Sequence, residues 1–337
     1  MDIEIQSLKN WVLSFDDKST KELLKLINEE ETLNDVDSLF VNRYVELLNP
    51  YVKHLDLKNP NFLSSGLVFY FTSIYYISHF SEWLEKVRDV FLVTMLYLFV
   101  DHYLDDKNLD PKIRKEAITQ LIMLSQNPEL KLNFVDEKFE SIVSIYKELN
   151  QRNPQFKKYL LVAFMSEVES VKIQQSPDHS YETYLRICYE KGGTSASLIQ
   201  CLLDPEDQKL MDECYNLGKI IQLLDDCADC DNDNENKINT VATFVLKNEG
   251  CLDSLWKSII PMISEIDERL YRFKYLFGFI CAYTVGRYSH NFSKELNEQM
   301  KHLKLFEFLY KYDAENKLNK LIREEIEFSK MMEDLKI

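Results

Sequence analysis

Between a few breaks marked by proline and polar residues, apolar side chains in this chain recur at the spacing of an α-helix. One stretch, Phe91 to Val100, is apolar nearly all round, interrupted only by Thr94. A surface helix would show a polar face, so this one belongs in the middle of a large bundle. A buried strand has similar content, but the length of the periodic segment predicts a helix. Residues that make turns are scarce, with 7 Gly and 8 Pro among 337 residues. A β fold would need them every few positions. The chain therefore reads as all-α.

Breaks fall at Asn59-Pro60, Asp110-Pro111, Asn153-Pro154, Ser176-Pro177 and Asp204-Pro205, and in the polar stretch Asn232 to Asn239. Between them the periodicity predicts helices over 4–15, 19–30, 36–50, 61–78, 82–107, 111–125, 135–150, 155–174 and 180–203. Further helices are predicted over 206–231, 240–248, 252–266, 268–292 and 294–333. There is no repeat, low-complexity linker or composition shift, which predicts one domain over 1–337. A hydrophobic content of 45% is enough for a sizeable core.

The formal net charge of −16 and the lack of a basic stripe argue against a nucleic-acid partner. Seven scattered cysteines, several within apolar helical pattern, read as reduced core thiols of a cytoplasmic protein. Cys227 and Cys230 form a C-x-x-C, but no second pair accompanies it, so a zinc site is not expected. The N-terminus lacks the basic flank and apolar core of a signal peptide. The longest apolar runs, Val87 to Val100 and Leu276 to Val285, fall short of a membrane span.

Two acidic clusters stand out. Asp101, Asp105 and Asp106 end the most apolar helix, and the i, i+4 pair Asp101 and Asp105 puts two carboxylates on one face about 6 Å apart. The second cluster holds Asp225, Asp226, Asp229, Asp231 and Asp233, of which Asp225, Asp229 and Asp233 run i, i+4, i+8 along one stripe. Like charges at that spacing destabilise a helix and call for a compensating cation. Several hard oxygen donors suit Mg²⁺. The alternation Asp229, Asp231, Asp233 also opens like a calcium EF-hand loop. That loop needs Gly at its sixth position and Glu at its twelfth, where this chain has Asn234 and Thr240.

Gly218, Gln222, Asp225, Asp226 and Asp229 fit G-x-x-x-Q-x-x-D-D-x-x-D, the second aspartate-rich motif of prenyl diphosphate synthases. Read as Asp225, Asp229 and Asp233, the same stretch resembles an acidic version of the N-x3-S-x3-E metal triad of terpene cyclases. Leu96, Tyr97, Phe99, Asp101, Asp105 and Asp106 are similar to the L-Y-x-F…D-D-x-x-D-D stretch of phytoene synthases, with His102 where a second Asp is usual. Tyr184, Ile187, Lys191 and Thr194 resemble Y-x-x-I-x-x-x-K-T of prenyl synthases, with Gly192-Gly193 inserted. Arg287-Tyr288 looks like the Arg-Tyr pair near the end of microbial terpene cyclases. From about residue 65 to 290 the chain thus resembles the class I isoprenoid synthases.

That resemblance implies an all-α, single-domain antiparallel bundle around a central active-site cavity. It implies three Mg²⁺ held by Asp101, Asp105 and Asp106 on one wall and Asp225, Asp226, Asp229 and Asp233 on the other. Lys191, Gln222, Arg287 and Tyr288 would contact the diphosphate of a prenyl substrate, Lys191 and Arg287 with fixed positive charge. Tyr97, Phe71, Tyr75, Phe164 and Tyr283 would line the prenyl chain and its carbocation, which aromatic faces stabilise. Gly192-Gly193 would relax the helix beside the pocket. Related enzymes are often dimers, so a homodimer is one option.

Elongating prenyl synthases carry a Gly-Gly-Lys-Arg-like patch near the N-terminus and an Arg pair after the first motif, and this chain has neither. The sequence therefore points to a one-substrate terpene cyclase acting on farnesyl or geranylgeranyl diphosphate. The alternatives are a trans-prenyl diphosphate synthase, a head-to-head squalene or phytoene synthase-like enzyme, and a non-catalytic regulatory subunit of a prenyltransferase.

Overall fold

The computed structural model describes residues 83–105, 109–127, 130–131, 137–267, 270, 284–285 and 287–301, with positions 69, 73 and 77. Its helices lie in one compact unit, Tyr76–Lys311, of the two into which the chain divides. In chain order they are α1 (Trp83–Asp105), α2 (Pro111–Gln126), α3 (Glu137–Arg152), α4 (Phe156–Gln174) and α5 (Tyr181–Leu203). Then follow α6 (Gln208–Asn236), α7 (Val241–Glu249), α8 (Asp253–Ser264), the 3₁₀ turn Ser289–Asn291 and α9 (Lys294–Lys301). Among the described residues there is no strand, in line with the all-α expectation. The predicted helices before residue 61 and beyond 301 fall outside the described residues, as does most of 268–292.

The ends of these helices are set by local chemistry. Pro111 opens α2, and the Asp110 carboxylate accepts from the Lys112 amide at 2.7 Å. Ser180 caps α5 through the Thr183 amide at 3.3 Å, and Asp207 caps α6 through Leu210 at 3.0 Å. A reciprocal Thr240–Thr243 capping box starts α7, and Gly250, at φ 79°, ends it. One prediction needs correction: α6 does not stop at residue 231 but continues to Asn236. The Asn236 amide holds the last turn by donating to the Asn232 carbonyl at 2.8 Å and side chain at 2.9 Å. Lys237 then takes the left-handed conformation, φ 60°, and the Ile238 amide reaches back to the Asp233 carbonyl at 2.8 Å. Asp233 is therefore helical, and the i, i+8 stripe is continuous.

As its composition predicts, α1 is a central helix: Val90 through Leu96 are all buried. It packs on α3 and α5, while α5 also packs on α4 and, most extensively, on α6. A clasp fixes α1 against α3. The buried Asp89 carboxylate pairs with Arg152 and accepts from the Asn153 amide at 3.1 Å. Hydrogen bonds to a charged, buried group contribute more than neutral ones. Asp89→Ala is expected to lower the free energy of unfolding by about 2–3 kcal/mol, read as a shifted urea midpoint. An unchanged midpoint would show that the clasp is mechanically idle.

Cys188, Cys201, Cys214, Cys227 and Cys230 are buried thiols, matching the reading of reduced core cysteines. Among the described residues, no helix is long and apolar enough to cross a membrane.

Candidate functional site

The site is built on one helix contact, between α5 and α6. A Cβ on Gly192 would stand 2.2 Å from the Gly218 carbonyl oxygen, and one on Gly218 would stand 2.1 Å from the Gly192 carbonyl oxygen. Only two glycines let the backbones meet this closely. The expectation that Gly192-Gly193 relaxes a helix is thereby corrected. Helix α5 runs unbroken from Tyr181 to Leu203, and both glycines are buried against α6, Gly193 under the Tyr215 ring. Their missing side chains are used for packing, not for bending.

Close approach at Gly218 brings the next turns of α6 over Cys188 and Lys191. Gln222 is buried, and its side-chain amide donates to Asp225 at 3.1 Å and to Asp226 at 3.0 Å. Asp226 is buried and shares the polar cleft with the Cys188 thiol. Burial pushes the Asp226 carboxyl up to about 6; the Asp225 charge adds to the rise, while Gln222, Lys191 and Cys188 oppose it. Burial likewise holds the Cys188 thiol well above its ordinary range, with the Asp226 charge reinforcing the effect. Gln222, inferred as a diphosphate contact, thus orients the two adjacent carboxylates in this structure.

Asp225 and Asp229 are exposed and Asp233 is buried. Part of Asp229 stays open to solvent, yet the protein packed around its carboxyl raises its pKa. The charges of Asp225, Asp233 and Asp226 raise it further, and Lys191 opposes them, leaving it at about 8. Repulsion of this kind is what a bound divalent cation relieves. Among the described residues no three His, Cys, Asp or Glu side chains converge as a preformed cage. The donors nevertheless fit Mg²⁺, which takes one or two carboxylates and completes its octahedron with water and phosphate oxygens.

Asp231 lies roughly 200° round the helix from Asp229, on the opposite face of α6. Its two oxygens meet His290 Nε2 at 2.7 Å and the Asn291 side-chain amide at 2.9 Å. The Asn291 carbonyl in turn accepts from the Leu252 amide at 2.8 Å, at the start of α8. Arg287 is exposed, with its guanidinium carbon 5.8 Å from the Tyr288 ring centroid. The residues three and four beyond Arg287 are thus fixed to the back of α6, whereas Lys191 faces the acids from α5.

Lys191 is held from its other side by Glu167 on α4, at 3.1 Å, with both side chains largely buried. This pair stands between two clefts. An apolar one is lined by Val93 and Tyr97 of α1, Leu160, Phe164 and Glu167 of α4, and Leu198 of α5. Tyr97 and Phe164, both expected beside a prenyl chain, share it. A polar one is lined by Ser170, Cys188, Lys191, Gln222, Asp226 and Thr240. Asp101 and Asp105 sit on the last turns of α1, just beyond Tyr97 and Val100. Asp106, Phe71, Tyr75 and Tyr283 lie outside the described residues, as do the side chains of Asp101 and Asp105.

Glu167 and Ser170 escaped the sequence reading. The available signal was a charged residue on an apolar helical face, since Leu160, Phe164 and Glu167 recur at i, i+4, i+7. Compared with known proteins, the sequence matches no family model and no curated protein.

Proposed function

We propose that this protein is a Mg²⁺-dependent class I terpene synthase that ionises a linear prenyl diphosphate, farnesyl or geranylgeranyl in length. The observation supporting this reading is the pairing of an acid stripe, mutually repelling at Asp225, Asp229 and Asp233, with a largely buried lysine whose partner Glu167 lines an apolar cleft. In the proposed reaction the allylic C–O bond breaks, the electron pair leaves with the diphosphate, and a carbocation remains on the hydrocarbon. Bound Mg²⁺ would supply the charge that stabilises the departing diphosphate. Asp225 and Asp229 on α6, with Asp101 and Asp105 on α1, would hold it. Gln222 orients Asp225, and Lys191 adds fixed positive charge on the α5 side. Tyr97 and Phe164 would wall the hydrocarbon from water and offer aromatic faces to the cation. Loss of a proton from the cation, or addition of water to it, closes the balance.

The test is to incubate the purified protein and Mg²⁺ with geranyl, farnesyl and geranylgeranyl diphosphate and analyse extracts by gas chromatography. Hydrocarbon or alcohol products are expected from one substrate alone, and EDTA should abolish them. Longer diphosphates that form only when isopentenyl diphosphate is added would replace this reading with chain elongation. No turnover of any prenyl diphosphate would replace it with a non-catalytic role.

A further inference from the structure

Glu167 has no place in the reaction just described, yet it is buried with the one oxygen at 3.1 Å from Lys191 and lines the apolar cleft. Lys191 also faces α6, since it lines the polar cleft together with Gln222 and Asp226. The lysine is therefore shared between α4 and α6. It sits on a flexible four-carbon stem, so its ammonium can exchange partners without moving a helix. The polar cleft it lines contains the Ser170 hydroxyl, which is fully buried and has no hydrogen-bond partner. Ser170 follows Glu167 by one helical turn on α4. A buried hydroxyl left unpaired is costly and uncommon.

Resting on the reading above, we infer that the Glu167–Lys191 ion pair is a displaceable latch: an anion brought to the acid stripe with Mg²⁺ draws the Lys191 ammonium off Glu167. Breaking a buried ion pair is strongly unfavourable when nothing replaces the lost partner. A diphosphate oxygen replaces Glu167 as the partner of Lys191, and the cost of releasing Glu167 is taken from the affinity for the anion. In the process the Glu167 carboxylate gives up Lys191 at the wall of the apolar cleft, where a positive charge then develops on the hydrocarbon. The latch thereby ties exposure of that carboxylate to occupancy of the diphosphate position.

The test uses the full chain and inorganic pyrophosphate with Mg²⁺, measured by titration calorimetry. Glu167→Gln keeps the shape but removes the charge that competes for Lys191, so the affinity should rise roughly tenfold. In a Lys191→Gln background the same change should have less than about a twofold effect, because no lysine remains to be released. Equal tightening in both backgrounds would mean simple relief of negative charge and would overturn the latch. Unchanged or weaker binding by Glu167→Gln would overturn it too. Far-UV circular dichroism melts establish that each variant is folded. Should Lys191→Gln unfold, reductive ¹³C-methylation of the wild type supplies a second readout. The Lys191 resonance, assigned through Lys191→Arg, should shift on adding Mg²⁺-pyrophosphate, and a fixed resonance would sink the proposal. A wild type that binds no Mg²⁺-pyrophosphate would remove the functional reading and the latch together. A wild type that binds it, with no response to Glu167→Gln, removes the latch alone.

Discussion

Gly218→Ala should be among the most damaging single-methyl changes in this protein. The new Cβ would stand 2.1 Å from the Gly192 carbonyl oxygen, 2.6 Å from its carbon and 2.7 Å from the Ala196 Cβ. Two of those atoms are backbone of a buried helix, so neither can rotate away as a side chain would. Helices α5 and α6 must separate, which loosens the longest interface among the described elements. Alanine is the better helix former by about 1 kcal/mol, and that gain partly offsets the clash. Overpacking against rigid backbone lies at the upper end of the usual range, so a net loss of about 3 kcal/mol is expected. In a unit of this size that is roughly 6–12 °C in Tm. Gly250→Ala is the control. Gly250 has φ 79° but nothing within 4 Å of a built Cβ, so the cost there is confined to backbone strain of about 1 kcal/mol. Similar melting of the two variants would refute the packing role of Gly218.

Asp229→Asn should push activity and stability in opposite directions. If Asp229 holds Mg²⁺ for diphosphate departure, turnover should fall by roughly two to three orders of magnitude, as when a charge-stabilising group is removed elsewhere. A carboxylate kept for structure would lower stability when removed. Here the reverse is expected in metal-free protein, because the carboxyl is raised from 3.8 to about 8 by burial and then by Asp225, Asp233 and Asp226. The folded state thus keeps a proton that the unfolded chain has released. The stability this group contributes is fully present below pH 3.8 and is lost as pH rises toward about 8. Asp226, raised to about 6, acts in the same direction over a narrower window. Metal-free wild type should therefore lose Tm between pH 5 and pH 8 more steeply than Asp229→Asn. Added Mg²⁺ should restore the most at the alkaline end, where the carboxylates are ionised and free to bind it. Parallel pH profiles for wild type and variant would show that the stripe is not under the repulsion argued here.

Much of the helical framework was legible because it depends on near neighbours. The apolar run Phe91 to Val100 and the breaks at Asp110-Pro111, Ser176-Pro177 and Asp204-Pro205 act within a few residues of where they stand. The end of α6 was less legible, since the run from Asn232 to Asn239 has the composition of a loop. Side-chain bonding by Asn236 and a left-handed Lys237 carried the helix one turn further. The i, i+4, i+8 spacing of Asp225, Asp229 and Asp233 could be seen at once, for the same local reason. The roles of Gly192, Gln222 and Asp226 could not, because each is defined by a partner on another helix or by which way a helix turns.

The sequence by itself determined that this is a helical protein, where most of the described helices begin and end, and that one helix bears an i, i+4, i+8 stripe of acids. Those properties follow from periodicity and capping, which act over a turn or two of chain. Only the tertiary structure decided that two glycines bring α5 and α6 into backbone contact. It alone decided that Asp226 turns inward to Cys188 while Asp231 ties down the turn after Arg287, and that Lys191 is shared with Glu167. These depend on which faces meet across a packed interior, and sterics between residues far apart in sequence fix that, not the spacing along the chain.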